Sequence, residues 1–181
     1  MPQPLEPLAQ EVAALLHQAG RKVVFAESCT AGLISATLGR VPGVSAVHCG
    51  SAVVYRLATK TEWLAVPADV LDEFGAVNEP VATMMAEGVL ARTSESDIAV
   101  SITGHLGPNA PSEQDGLIYV GIAVRGNSCR ILRHRLEKFP ETGLRGFPGE
   151  TEREQRQWIA VEFALMHLAQ TLQELISLQS L

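Results

Sequence analysis

Two residues that could act as nucleophiles, Ser28 and Cys29, stand side by side in the segment Ala-Glu-Ser-Cys-Thr-Ala-Gly at residues 26–32. The apolar run before this segment, at 22–25, is typical of a buried strand, and apolar residues recur at helical spacing after it. A strand that turns directly into a helix leaves backbone N–H groups unpaired, and these can stabilise an anion or a developing oxyanion. The segment is therefore a candidate site of acyl transfer. From these residues alone, however, a helix cap by Ser28 or Thr30 is the simpler explanation.

A serine hydroxyl attacks a carbonyl only when a nearby group removes its proton. Among the five histidines, His105 alone has a plausible site position, because it lies in the loop that follows Thr103 and Gly104. A lysine can serve instead if burial lowers its pKa. The chain has three lysines, which are Lys22, Lys60 and Lys138. Spacing alone does not decide between these candidate bases.

The sequence contains no pattern typical of a metal or phosphate-loop site. There is no HxH, HExxH or carboxylate–histidine spacing, and the loop at 105–116 has neither GxGxxG nor a terminal GK[ST]. The three cysteines, Cys29, Cys49 and Cys129, form no CxxC pair. We therefore expect neither a disulfide framework nor a structural zinc site, and a reducing cytoplasm is the simplest location.

The composition sets limits on the class of protein. A chain of 181 residues, of which 46% are hydrophobic, can form one well-packed domain, so we expect a single domain over residues 1–181. A net charge of −6 argues against nucleic acid or an anionic membrane as a partner of the whole surface, although a local basic pocket is compatible with it. Neither a signal peptide nor a run long enough to span a membrane is recognisable, which favours a cytoplasmic protein.

The order of the apolar patterns predicts an α/β fold, namely a three-layer α/β/α domain with a mixed sheet of about five strands. The predicted strands cover residues 22–26, 49–55, 97–103, 117–124 and 129–139. The predicted helices cover residues 4–19, 59–64 and 68–74, with others after Gly32 and Asn78 and a long one that carries Trp158 to Ile176. A Gly- and Pro-rich passage at 139–149 precedes the last helix. The last two strands are joined by a short turn, so we expect them to pair antiparallel.

Four motifs of the chain together resemble one known family. They are Ala-Glu-Ser-Cys-Thr-Ala-Gly at 26–32, Tyr55 with Lys60, Ala-Val-Asn-Glu-Pro-Val at 76–81, and Ser-Ile-Thr-Gly at 101–104. Their order closely resembles the CinA C-terminal-domain family, from about residue 5 to residue 175. That family comprises the nicotinamide-nucleotide amidases. The resemblance therefore implies a cytoplasmic bacterial enzyme of pyridine-nucleotide recycling that hydrolyses nicotinamide mononucleotide to nicotinic acid mononucleotide and ammonia.

The resemblance also implies roles for individual residues. It implies three catalytic residues: Ser28 is similar to the family's nucleophile, Lys60 to its base, and Tyr55 to a hydroxyl between or beside them that helps the proton transfer. Backbone N–H groups around Thr30, Ala31 and Gly32 are expected to hold the oxyanion. The other residues expected to contact the substrate are Glu27, Thr103, Gly104, His105 and Arg153.

Arg153 matches an arginine near the start of the family's last helix, and we expect it to contact the substrate phosphate. The resemblance implies an enzyme that needs no metal and no organic cofactor. Its expected partners are a small nucleotide substrate and further copies of the same chain in a homo-oligomer, with neither nucleic acid nor a membrane among them.

The chain departs from the family pattern in two places. After Tyr55 the family usually has Ser/Thr-Asn, whereas this chain has Arg56 and Leu57. The family's Gly-Ile-Ala-Gly-Pro loop with following glycines is replaced by Gly-His-Leu-Gly-Pro-Asn-Ala-Pro at 104–111, and its later Lys-Pro-Val-Gly by Gln-Asp-Gly at 114–116. These residues stiffen and fill a loop that normally lets the backbone approach a ligand. The alternatives are thus an amidase for a different carboxamide, or a nucleotide-binding relative without catalysis.

Overall fold

The computed structural model describes residues 5–137 and 151–179. Its helices are α1 (Glu6–Ala19), α2 (Leu33–Leu38), α3 (Leu57–Leu64), α4 (Ala68–Phe74), α5 (Glu79–Arg92) and α6 (Glu152–Gln179). Its strands are β1 (Val23–Glu27), β2 (His48–Val53), β3 (Ile98–Gly104), β4 (Leu117–Val124) and β5 (Arg130–Arg135). A short 3₁₀ turn at Val44–Ala46 precedes β2.

The five strands form one mixed sheet, as the sequence predicts, and their order in the sheet is β2-β1-β3-β4-β5. β1 pairs parallel with β2 and with β3, whereas β4 pairs antiparallel with β3 and with β5. The carboxyl ends of the three parallel strands therefore meet at one edge of the sheet. Ligands of open α/β sheets bind outside this edge, so the segments that leave β1, β2 and β3 are placed to form a site.

Helices cover both faces of the sheet and complete the predicted three layers. α1, α2 and α6 pack on one face, in a core that includes Phe25 and Leu165. α3, α4 and α5 pack on the other face, in a core that includes Ala26 and Met85. Phe25 and Ala26 are consecutive in β1 and serve opposite cores, because successive side chains of a strand point to opposite faces.

The observed elements differ from the predicted ones mainly at their ends. β2 ends at Val53 instead of residue 55, so Tyr55 lies in the segment between β2 and α3. β5 ends at Arg135, before the predicted end at 139. Residue 4, residues 138 and 139, and the Gly- and Pro-rich passage at 139–149 lie outside the described residues. Within the described ranges, no helix is both long and apolar enough to cross a membrane.

Candidate active site

The turn after β1 is built around the carboxylate of Glu27, which is completely buried. Its two oxygens accept hydrogen bonds of 2.8–3.0 Å from the hydroxyls of Thr30 and Ser51 and from the backbone N–H groups of Gly32, Ile34 and Ser35. The side chain thus satisfies N–H groups at the start of α2 that would otherwise be unpaired, and it joins the turn to β2.

The side chains of Glu27 and Thr30 therefore belong to the scaffold of the turn, whereas both residues were expected to contact the substrate. Each is at most 1% exposed, and neither borders the cavity described below. Their contribution to the site is to fix the path of the chain on both sides of Ser28.

Replacing Glu27 with glutamine should destabilise the fold. The amide loses the negative charge and points an NH₂ group at backbone N–H donors, which leaves donors without acceptors. We expect a loss of roughly 3 kcal/mol in the free energy of unfolding, measured by thermal or denaturant unfolding. Glu95→Gln, which alters an exposed ion pair with Lys22, is the matched control and should change stability little. Equal stabilities of the two variants would contradict the anchoring role of Glu27.

Two of the three backbone N–H groups that were expected to hold the oxyanion donate to other acceptors in the turn. The N–H group of Gly32 donates to the Glu27 carboxylate, and that of Ala31 donates to the carbonyl of Ser28 at 3.2 Å. Both N–H groups are thus committed within the turn. In the part of the chain that the structure describes, the N–H groups of Cys29 and Thr30 donate to no backbone carbonyl, and these two remain as donors for a ligand.

Lys60 lies on α3 and contacts the nucleophile candidate directly. Its Nζ atom is 3.0 Å from Oγ of Ser28 and 2.6 Å from the carbonyl oxygen of Val54. Lys60 is completely buried, and Ser28 is 8% exposed. The fold therefore brings together a hydroxyl and an amine that lie 32 residues apart in the sequence.

Burial lowers the pKa of Lys60 from 10.5 to about 8. Its two hydrogen-bond partners are neutral oxygens, so neither offsets the loss of hydration of the ammonium form. A neutral amine keeps an N–H for the Val54 carbonyl and has a lone pair for the Ser28 hydroxyl. Lys60 can therefore remove the proton of Ser28 at a mildly alkaline pH.

The other candidate bases are less well placed. Lys22 pairs with Glu95 at 2.7 Å near the amino end of β1, whereas Ser28 follows its carboxyl end. Lys138 lies outside the described residues. His105 borders the cavity, as expected, but makes no hydrogen bond to Ser28. Among the candidate bases in the described residues, Lys60 is therefore the one that contacts Ser28.

Cys29 is a poor nucleophile in this fold. Its side chain is 3% exposed and belongs to the apolar core. Burial raises the pKa of its thiol to about 12, so the reactive thiolate is scarcely populated near neutral pH. Of the two neighbours, Ser28 is the residue with an activating partner.

Tyr55 lies beside the Ser28–Lys60 pair and not between its members. Its hydroxyl accepts a hydrogen bond of 2.7 Å from Nη2 of Arg153, whose Nη1 donates to the carbonyl of Gly107 at 2.8 Å. Because Lys60 reaches Ser28 directly, no hydroxyl is needed between them. Arg153, close to the start of α6, thus connects the segment after β2 to the loop after β3.

A cavity of about 250 Å³ opens at the carboxyl edge of the sheet. It is bordered by Ser28, Cys29, Tyr55, Lys60, Ala76, Val77, Thr103, Gly104, residues 105–110 and Arg153. Arg153 is cationic, Lys60 is cationic below a pH of about 8, and none of these described lining residues is acidic. On a chain with a net charge of −6, the cavity is a local positive site that suits an anionic ligand.

Thr103 and Gly104 border the cavity, as the sequence analysis expected, but each also has a structural task. The hydroxyl of Thr103 donates to the carbonyl of Ala76 at 2.7 Å. A Cβ atom at Gly104 would lie 2.6 Å from Cγ2 of Ile118, so only glycine allows this close approach to β4. Among the described residues, no group of three His, Cys, Asp or Glu side chains is placed to hold a metal ion.

Gln157 is a residue of the site that was not predicted from the sequence. Its side-chain amide donates to the carbonyl oxygen of Cys29 at 3.0 Å, across 128 residues of sequence. Nothing in the sequence near Gln157 or Cys29 signals this contact. It shows that the first turns of α6 hold the turn after β1 as well as the loop after β3.

A family model for the CinA C-terminal domain matches residues 5–172. The chain belongs to the CinA C-terminal-domain family. Among curated relatives, a CinA-like protein of Mycobacterium sp. (strain JLS) is 46% identical over 122 residues, which are 67% of this chain and 28% of the relative. A CinA-like protein of Dictyoglomus turgidum is 42% identical over 121 residues, 66% of this chain and 29% of the relative. The match thus covers less than a third of these longer proteins.

Solved structures of the CinA superfamily share the whole fold. A superfamily protein from Klebsiella pneumoniae 700603 superposes with a TM-score of 0.80 at 27% identity, over 93% of this chain and 98% of the other. The competence/damage-inducible protein CihA of Agrobacterium tumefaciens gives a TM-score of 0.78 at 31% identity, over 93% and 95% of the two chains. The CinA architecture predicted from the motifs is therefore confirmed.

Proposed function

We propose that this CinA-family protein is an amidohydrolase that converts nicotinamide mononucleotide to nicotinic acid mononucleotide and ammonia through an acyl-enzyme at Ser28. The observation that carries this proposal is the buried contact of 3.0 Å between Nζ of Lys60 and Oγ of Ser28. A serine hydroxyl beside an amine of lowered pKa is an activated nucleophile. The motifs that resemble the family's amidases surround this pair.

The charge of the cavity supports a phosphorylated substrate. Arg153 borders the cavity and uses one guanidinium nitrogen for Tyr55 and the other for Gly107. A guanidinium has five N–H donors, so these contacts leave donors for a phosphate oxygen. We assign Arg153 and the hydroxyl of Tyr55 to substrate binding, with the carboxamide directed at Ser28.

The reaction begins with proton transfer. Neutral Lys60 takes the proton of the Ser28 hydroxyl while Oγ forms a bond to the carboxamide carbon, and the carbonyl oxygen becomes an oxyanion. The tetrahedral intermediate then collapses with cleavage of the C–N bond. Lys60 returns its proton to the leaving nitrogen, so ammonia departs and an ester at Ser28 remains.

We assign the oxyanion to the backbone N–H groups of Cys29 and Thr30. The bond from Ala31 to the Ser28 carbonyl fixes the peptide whose N–H belongs to Cys29, since the two groups of a trans peptide point in opposite directions. The bond from Gln157 to the Cys29 carbonyl fixes the peptide of the Thr30 N–H in the same way. The N–H of the residue after the nucleophile supplies an oxyanion donor in other strand–turn–helix hydrolases.

Hydrolysis of the ester repeats these steps with water as the nucleophile. Lys60 removes a proton from the attacking water and returns it to Oγ of Ser28 as the ester bond breaks. The products are nicotinic acid mononucleotide and the free enzyme. Each proton that Lys60 takes up is released within the same cycle.

Ammonia release from nicotinamide mononucleotide, measured with purified protein and a panel of other carboxamides, tests the proposed function. Turnover of the nucleotide supports it. If the protein hydrolyses another carboxamide and not this nucleotide, the assigned substrate is wrong and the assigned reaction type is supported. If the nucleotide stabilises the protein but no ammonia is released, the assignment as an enzyme is contradicted and a nucleotide-binding protein is favoured.

Cys29→Ala should keep most of the ammonia-releasing activity. The thiol is buried and un-ionised, and the Cys29 groups used in the mechanism belong to the backbone. For the same reason iodoacetamide should leave the unmodified protein active. Rapid, stoichiometric inactivation at Cys29 that the substrate prevents would instead assign the nucleophile to the thiol.

A further inference from the structure

A buried ion pair lies behind the wall of the cavity. Nη1 and Nη2 of Arg156, on α6, donate to the two carboxylate oxygens of Asp115 at 2.8 and 3.1 Å. The side chain of Arg156 is 1% exposed and that of Asp115 16%. Two parallel hydrogen bonds between planar groups fix orientation as well as distance. A buried pair of this kind adds little net stability compared with apolar packing. Its main effect is therefore to fix the relative positions of the two segments that carry Asp115 and Arg156.

Gly107 connects this ion pair to the cavity. It borders the cavity, and a Cβ atom added to it would lie 3.0 Å from Nη1 of Arg156 and 3.3 Å from Oδ1 of Asp115. The backbone of Gly107 therefore rests directly on the ion pair. Its carbonyl also accepts the hydrogen bond from Arg153, one turn before Arg156 on the same helix.

The ends of the loop are held separately. The N–H of His105 donates to the carbonyl of Leu117, and the N–H of Gly116 donates to the carbonyl of His105, each at 2.9 Å. These bonds continue the pairing of β3 with β4 and fix where the loop starts and stops. The position of its interior at Gly107 depends instead on the contacts with α6.

We propose that Asp115 and Arg156 are positioning residues, whose ion pair holds Gly107 and the wall residues after it at the distance from Ser28 that substrate binding requires. This inference rests on the proposed amidase function. Ser28 and Lys60 lie on other segments and keep their geometry when the wall moves. Loss of the ion pair therefore raises KM and leaves kcat nearly unchanged.

Asp115→Asn is the variant that tests the pair with the least disturbance. Asparagine has the same shape, and Arg156 keeps a carboxylate partner in Glu152, whose Oε1 lies 2.8 Å from Nη2. Arg156→Lys is the second variant, because lysine keeps the charge and loses the paired contact. The matched control is Asp97→Asn, which alters the Asp97–Arg21 pair at the opposite end of β3 from the loop.

We expect KM for nicotinamide mononucleotide to rise roughly tenfold in Asp115→Asn, because small displacements of substrate contacts have effects of this order or larger. We expect kcat to change little, and Arg156→Lys to act in the same direction. Asp97→Asn should leave KM and kcat at the values of the unmodified protein. A KM in Asp115→Asn equal to that in Asp97→Asn would overturn the proposal, as would a fall in kcat at constant KM.

Hydrogen exchange of the peptide spanning residues 105–117 tests the positioning without any substrate. We expect faster exchange in Asp115→Asn than in the unmodified protein, and no change in Asp97→Asn. Unchanged exchange in Asp115→Asn would overturn the positioning role. If the unmodified protein releases no ammonia but exchange is faster in Asp115→Asn, the amidase assignment fails and the structural role of the ion pair stands.

Discussion

In Ser28→Ala the rate of ammonia release should fall by a factor on the order of 10⁵ or more, which is the usual effect of removing a nucleophile that works with a base. The substitution deletes one atom at a position that is 8% exposed. Lys60 keeps its hydrogen bond to the Val54 carbonyl, so the buried amine is not left without a partner. The loss should therefore appear in kcat, with little change in the melting temperature.

Ser35→Ala is the matched control for this result. Ser35 lies on α2, close to the same turn, but its hydroxyl contacts Nε2 of His48 at 2.8 Å and does not border the cavity. We expect this variant to keep its activity. Activity in Ser28→Ala equal to that of the control would show that the reaction does not pass through Ser28.

Lys60→Met should abolish turnover as completely as Ser28→Ala. Methionine fills the space of the lysine stem but cannot accept a proton. In the unmodified protein, kcat/KM should rise with pH through about 8, because the neutral amine is the active form and burial has lowered the pKa of Lys60 to that value. Near-normal turnover of Lys60→Met with the same pH profile would make Lys60 a packing residue and His105 the next candidate.

The same ionisation should appear in the stability of the protein. Between about pH 8 and pH 10.5 the unfolded chain binds a proton at Lys60 that the folded chain has already lost. The free energy of unfolding of the unmodified protein should therefore rise with pH across this interval. Lys60→Met lacks this contribution, and the unpaired Val54 carbonyl in the variant has no pH dependence. Parallel pH profiles of the two proteins would contradict the lowered pKa.

The elements of the fold could be predicted because each has a local signal. The strand Leu117–Val124 and the helix Ala68–Phe74 match their predicted bounds, since apolar periodicity and flanking glycines mark them. The predicted end of β2 lies two residues late because Val54 is β-branched and apolar like Val53, and it is completely buried although it follows the strand. Burial alone does not tell a strand from the segment that leaves it.

The site was predicted less completely, because its contacts span long distances in the sequence. Ser28 and Lys60 could be paired through their resemblance to a family, whereas spacing left three lysines and one histidine open. Glu27 belongs to the motif at 26–32, and the resemblance to the family is what placed it among the expected substrate contacts. Its network of buried donors becomes visible only when α2 and β2 are in place.

The resemblance placed Arg153 of α6 at the site, but nothing in the sequence indicated which residues α6 contacts. Arg153 meets Tyr55 across 98 residues, and Arg156 meets Asp115 across 41 residues. Arginine and aspartate are usually solvent-exposed, so their types alone predict surface positions. Knowledge of which helix packs beside the loop after β3 is needed before either contact can be inferred.

The most direct test of the mechanism is the mass of the protein during turnover. The protein is mixed with nicotinamide mononucleotide, quenched with acid at successive times, and analysed intact and after digestion. We predict an adduct with the mass of the substrate less ammonia, located on Ser28, that forms before steady-state product and is absent from Ser28→Ala. An adduct on Cys29, or ammonia release without an adduct at any time, would contradict the acyl-enzyme at Ser28.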